Sequence, residues 1–251
     1  MSKHAEQSVQ RVIESIYRNI GEPITIDDMA RTAMFSKFHF ARIFQRTTGV
    51  SPGRFLSAVR LQEAKKLLLS TSLSVADISH QVGYSSVGTF SSRFKRSVGL
   101  SPTVYRELGG HTPRIHSDSR RSGARTAVLT GNILPPRHTD EQGPVFLGLF
   151  PDIILEGAPV RCAVLEEPGP FRLENVPEGD WYLLVQSVMS GDEEILGDEP
   201  PTVAAHGPIT VRPGMTLGPL DVRLHPMRAI DPPSLLALLD VRREALTAVA
   251  S

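Results

Sequence analysis

Ser36-Lys37-Phe38-His39-Phe40-Ala41-Arg42-Ile43-Phe44-Gln45-Arg46-Thr47-Thr48-Gly49-Val50-Ser51-Pro52 returns further along the chain as Ser86-Val87-Gly88-Thr89-Phe90-Ser91-Ser92-Arg93-Phe94-Lys95-Arg96-Ser97-Val98-Gly99-Leu100-Ser101-Pro102. Phe40/Phe90, Phe44/Phe94, Arg46/Arg96, Gly49/Gly99, Ser51/Ser101 and Pro52/Pro102 coincide, which marks two copies of one structural unit. A unit used twice points to a ligand that itself repeats. Duplex DNA is such a ligand, because its major groove returns to the same side about every 34 Å.

Each copy is introduced by the same grammar. Thr25 with Asp28, and Ser74 with Asp77, have the spacing of a helix-starting capping box, and each opens a short helix that runs through a turn into the repeat. Before the first copy, Val9, Ile13, Ile16 and Ile20 recur at helical spacing and predict a helix near residues 5–20, ended by Gly21 and Pro23. Between the copies, Pro52 to Ser70 carries Phe55, Val59, Ala64, Leu67 and Leu68 among good helix formers, so one continuous helix is expected to join the units.

On a 100° wheel, Phe40 and Phe44 share one side of the first repeated helix with Ile43 nearby, while Phe38, Arg42 and Gln45 face the other way. The aromatic side is the candidate core. The outer side offers Arg42 for guanine and Gln45 for adenine edges, with Phe38 suited to thymine methyls or a sugar face. Lys37 and Arg46 at its margins suit phosphates. The second helix turns Gly88, Ser92 and Lys95 outward, with Arg93 near the core edge. It is a weaker reader: Gly88 and Ser92 let backbone approach bases but form no bidentate contacts, and Arg93, Lys95 and Arg96 are expected to serve phosphates.

The 251 residues carry no net formal charge, yet the balance is +7 for residues 1–108, +2 for 109–123 and −9 for 124–251. A basic front suits a polyanion, and an acidic back suits another task. Gly109-Gly110 and the Ser/Arg-rich stretch to 123 read as a linker. Thereafter Thr126 to Leu129, Val145 to Phe150, Val160 to Leu165, Phe171 to Val176, Trp181 to Val188 and Leu220 to Leu224 are short strand-like runs, the pattern of an all-β sandwich. Ser234 to Ala250, behind Pro232-Pro233, reads as a terminal helix.

Residues 8–107 resemble the DNA-binding domain of AraC/XylS-type transcription regulators. The resemblance is carried by Ser74-Val75-Ala76-Asp77-Ile78, Val82-Gly83-Tyr84, Phe90, Phe94-Lys95, Gly99, Ser101-Pro102 and Tyr105-Arg106, and by Arg60-Leu61, Ala64 and Leu67-Leu68 in the joining helix. It implies seven helices in two helix-turn-helix subdomains that enter successive major grooves of a promoter, with activation through RNA polymerase as the family expectation. Two departures stand out. Met34 occupies a turn position where the family often has Gly, so that turn is expected to be strained or differently shaped. Ser92 stands where a base-contacting arginine is common, and arginine comes one place later at Arg93. The domain order is also the reverse of many relatives. Gly143 to Phe150, Pro168-Gly169-Pro170-Phe171 and Val176 to Tyr182 faintly resemble transthyretin-like or carboxypeptidase-regulatory β-sandwiches.

Cys162 is the only cysteine, which excludes an intrachain disulfide, and its strand-like surroundings read as inert core. The eight histidines form no metal-ligating spacing. Asp192-Glu193-Glu194 with Asp198-Glu199 reads as a solvated acidic loop, and Trp181 and Tyr182 as core rather than ligand pocket. No catalytic constellation, cofactor motif, signal peptide or membrane span is found, and a cytoplasmic location fits. The fold expected is multidomain: an all-α double helix-turn-helix domain (1–108), a linker (109–123), and an acidic all-β sandwich with a terminal helix (124–251). The function expected is that of a non-enzymatic, sequence-specific regulator on double-stranded promoter DNA. The open alternatives give the back half a small-molecule effector, homodimerisation or protein contact alone.

Overall fold

A computed structural model describes residues 3–112, 126–137, 143–187 and 201–239. They divide into two compact units. The first holds seven helices: α1 (Lys3–Arg18), α2 (Ile26–Ala33), α3 (Lys37–Thr48), α4 (Pro52–Ser70), α5 (Val75–Gln81), α6 (Val87–Val98) and α7 (Pro102–Glu107).

The repeat is reproduced in local geometry. Gly49 and Gly99 both end their helices in the left-handed conformation (φ 80° and 93°), and Ser51-Pro52 and Ser101-Pro102 both open the next helix with proline in its first turn. Thr25 closes a full capping box with Asp28, and Ser74 reproduces its hydroxyl half with Asp77. The core repeats too. Phe40–Phe44 and Phe90–Phe94 ring centroids lie 5.5 and 5.6 Å apart, while Phe44 meets Phe55 and Phe94 meets Tyr105 at 5.4 and 5.5 Å. The repeat thus extends three residues past the Ser-Pro pair, to Phe55 and Tyr105. These rings are fully buried, so they supply both the apolar burial and the edge-to-face contacts of each subdomain.

The turn at Met34 has the same shape as its counterpart at Gly83, not a different one. Met34 N–H donates to Arg31 O and Phe35 N–H to Ala30 O; Gly83 N–H donates to His80 O and Tyr84 N–H to Ser79 O. Both are Schellman-type endings. Met34 therefore adopts φ 60°, ψ 37°, a left-handed conformation that is strained for a residue with a Cβ. Gly83 (φ 84°) has no such freedom to change, because a Cβ there would sit 2.8 Å from Ile20 O.

Two arginines lock the long helix α4, which at 19 residues spans about 28 Å. Arg60 donates to Ile20 O and Glu22 O beyond the end of α1, and Arg106 of α7 donates to Leu68 O, Thr71 O and Leu73 O around the end of α4. Arg106 thereby satisfies carbonyls around the end of α4, where a helix runs out of internal donors.

The helical unit also takes in Ile154–Gly157 and Arg228–Ala237, from beyond the expected linker. Here the structure departs from the helix expected from Ser234: Ser234–Ala237 is not helical, and Leu238–Leu239 is a strand. Leu235 and Leu236 N–H groups donate to Leu155 O, and Ala237 N–H donates to Val98 O, so these amides find partners outside any helix of their own. Leu235, Leu236 and Ala237 are buried in the process. The remainder of the expected helix, 240–250, lies outside the described residues, as do linker residues 113–123 and the acidic loop around Asp192 and Asp198.

The second unit is strand-rich: β1 (His111–Thr112), β2 (Ala127–Leu134), β3 (Val145–Phe150), β4 (Arg161–Leu165), β5 (Pro170–Val176), β6 (Gly179–Ser187), β7 (Thr202–Val211), β8 (Thr216–Arg223), β9 (His225–Pro226) and β10 (Leu238–Leu239). One sheet has the order β5-β2-β8, another β4-β3-β6-β7-β9, and β1 pairs with β10. Inward residues of both larger sheets, among them Leu129, Ile133, Leu147, Leu149, Phe171, Leu183 and Val185, form a single hydrophobic cluster. Trp181 is buried in it, its indole N–H donating to Pro177 O at 2.9 Å. β7 was not expected. Its Gly207-Pro208 reads as a turn signal, but the register shift between Trp181 and Leu183 of β6 lets the pairing continue around it.

Candidate nucleic-acid interface

The expected outer face of α3 is where the wheel places it. Phe40, Ile43 and Phe44 are buried, and Lys37, Phe38, Arg42, Gln45 and Arg46 are exposed. Phe38 is 86% exposed, far more than an aromatic ring needs if it only braced the fold. Met34, just before the helix, is 84% exposed.

The cations are not equivalent. Lys37 Nζ lies 3.0 Å from an Asp27 carboxylate oxygen, so a phosphate must compete with that carboxylate for it. Both side chains are about half exposed, and such a pair contributes little, of the order of 0–1 kcal/mol. Arg42 Nη2 lies 3.3 Å from His39 Nδ1, and the His39 ring stands edge-on to Phe35 at 5.0 Å. The Arg42 guanidinium and the His39 ring are thus neighbours on the exposed side of α3. Sequence reasoning passed over His39; the signal was its position three residues before Arg42 on one helix.

On α6, Gly88, Ser92, Lys95 and Arg96 are exposed and Phe90 and Phe94 buried. A Cβ at Gly88 would touch only the Ser86 hydroxyl at 3.8 Å, so the helix surface there is open to close approach. Arg93 is half-buried, and its Nε donates to Ser57 Oγ of α4 at 3.0 Å. Its first contact is therefore with the joining helix, which sets it apart from Lys95 and Arg96.

Other sequence candidates resolve simply. Cys162 is half-buried on β4 rather than in the core, and burial pushes its thiol up to about 11 against the opposing pull of Arg161. Among the described residues, no helix is long and apolar enough to cross a membrane.

Comparison with known proteins also points to a helix-turn-helix domain in this part of the chain. The family model for a helix-turn-helix domain matches residues 29–108. The chain is 34% identical over 110 residues to the probable transcription factor PqrA of Proteus vulgaris, covering 43% of this chain and 88% of that protein. It is 32% identical over 98 residues to the transcriptional activator AarP of Providencia stuartii, covering 39% and 73%. With the lactose operon transcription activator of Staphylococcus xylosus it shares 32% over 100 residues, 40% of this chain but only 36% of that one. The family-model match lies in the helical part, and the chain spans about a third of the length of this last relative. By its helical domain, this chain belongs to the family of AraC/XylS-type transcription regulators.

Proposed function

We propose that the chain is a non-enzymatic, sequence-specific transcription regulator that grips promoter DNA with α3 and α6 in neighbouring major-groove segments. Phe38, Arg42 and Gln45 read bases from α3. Gly88 and Ser92 bring α6 close without strong discrimination. Lys37, Arg46, Lys95 and Arg96 neutralise phosphates, with Arg93 a lesser contributor because Ser57 holds it. The observation that carries this reading is the exposed outer face of a duplicated helix, polar except for the ring of Phe38, which is 86% exposed.

Activation is the sense of the reading, supported by the names of AarP and the lactose operon protein, which describe those two as transcription activators; RNA polymerase is the partner proposed with it. The acidic strand-rich unit is read as a β-sandwich, since its two larger sheets share one core cluster, and it serves sensing, dimerisation or protein contact.

The test is selection of binding sites from random duplexes with the full chain, followed by Arg42→Ala. The variant should lose about 1–3 kcal/mol on the selected site and relax preference at particular positions. Equal losses on selected and random duplexes refute a base-reading role for Arg42.

A further inference from the structure

The second reading helix ends against chain contributed from far along the sequence. Ser97 and Val98 close α6, and their carbonyls, which a helix end leaves without internal partners, accept from Gly157 N–H at 2.8 Å and Ala237 N–H at 3.1 Å. Beside them the Glu156 carboxylate divides its two oxygens. Oε2 accepts from Ser97 Oγ at 2.7 Å, and Oε1 from Arg54 Nη2 of α4 at 3.0 Å. Arg54 and Glu156 are partly buried, and Ser97 is buried.

Arg54 and Ser57 lie three apart on α4, and Arg93 and Ser97 lie four apart on α6, so each pair shares a helix face. The two helices are therefore cross-linked by two polar rungs, Arg93–Ser57 and Ser97–Glu156–Arg54, and the second exists only because a residue of the β3–β4 connection supplies its middle. The segments are also tied to each other and to α4: Leu155 O accepts from Leu235 and Leu236, and Lys65 Nζ donates to Ser234 O and Leu236 O.

We infer that Glu156 is a positioning residue for DNA recognition: by bridging Arg54 and Ser97 it fixes how α6 is presented relative to the joining helix, and with it the spacing of groove segments the chain accepts. The inference rests on the DNA-binding reading above. It assigns a role in recognition to a residue outside the helix-turn-helix repeat. Because α6 offers few base-reading groups, its contribution depends on where it is held more than on what it carries.

The experiment uses the full chain, the duplex recovered by selection, and the same duplex with 5 bp inserted between its two contacted segments, which turns one groove to the opposite side. Wild type should bind the respaced duplex at least about tenfold more weakly. Glu156→Ala should shrink that ratio at least about threefold, with the helical circular dichroism retained. Ser97→Ala, which removes one end of the bridge, should shift the ratio in the same direction. A purely stabilising role would lower melting temperature and leave the ratio alone. A folded Glu156→Ala with the wild-type ratio overturns the inference; if Glu156→Ala does not fold, the ratio for Glu156→Gln decides in the same way. Failure of wild type to select any duplex would instead remove the DNA-binding reading itself.

Discussion

Stability between neutrality and about pH 9.5 should carry the signature of Lys65. Its amine is buried on α4, 3.0 Å from Leu236 O and 3.3 Å from Ser234 O, and 5.8 Å from the centre of the Tyr105 ring. Burial lowers its pKa from 10.5 to about 7. Below pH 7 both folded and unfolded chains hold the proton, and the cost of burying the charge is fully present. Between about 7 and 10.5 the unfolded chain binds more protons than the folded one, so stability rises with pH until the cost is gone. The limiting slope is about 1.4 kcal/mol per pH unit, which integrates to about 3 kcal/mol from pH 7 to pH 9.5. That figure is an upper bound, because the two carbonyls and the ring favour the cation. Lys65→Met removes the titrating group with little change of length. Urea unfolding of the helical signal, at fixed ionic strength across this range, should show wild type gaining about 2–3 kcal/mol relative to the variant as pH rises. Parallel curves for the two proteins would refute the buried-charge reasoning.

Lys95→Ala should weaken binding to all duplexes alike and reduce the slope of log affinity against log salt by about 0.9; a loss confined to the selected site would make Lys95 a base reader. Met34→Gly should raise the unfolding free energy by about 0.5–1 kcal/mol in urea titration, since glycine relieves the left-handed strain that the Schellman turn imposes. An unchanged or lowered value would mean that the exposed Met34 side chain packs usefully where it stands.

Much of the helical unit is legible because its signals are local and doubled. Phe40/Phe44 and Phe90/Phe94 define the buried faces by spacing alone, Ser51-Pro52 and Ser101-Pro102 mark helix starts, and the expected joining helix has the observed bounds of α4. The strand-rich half is less so. Val145–Phe150 alternates little but is apolar and well bounded, so β3 is readable, whereas Gly207-Pro208 conceals β7 inside an apparent turn. Least legible are Ile154–Gly157 and Arg228–Ala237. Nothing periodic distinguishes Glu156, whose partners lie 59 and 102 residues away, and Leu235-Leu236-Ala237 looks helical until Leu155 O takes the first two amides and Val98 O the third. Pattern reasoning sees partners within one element; it does not see carbonyls left open at the end of a distant helix.

The claim on which the rest depends is that α3 and α6 engage one side of a duplex together. Hydroxyl-radical footprinting of the full chain on its selected site measures this directly. Two protected segments about 10 bp apart on the same side of the duplex are predicted. A single protected segment, unchanged when the exposed side chains of α6 are altered, would contradict it.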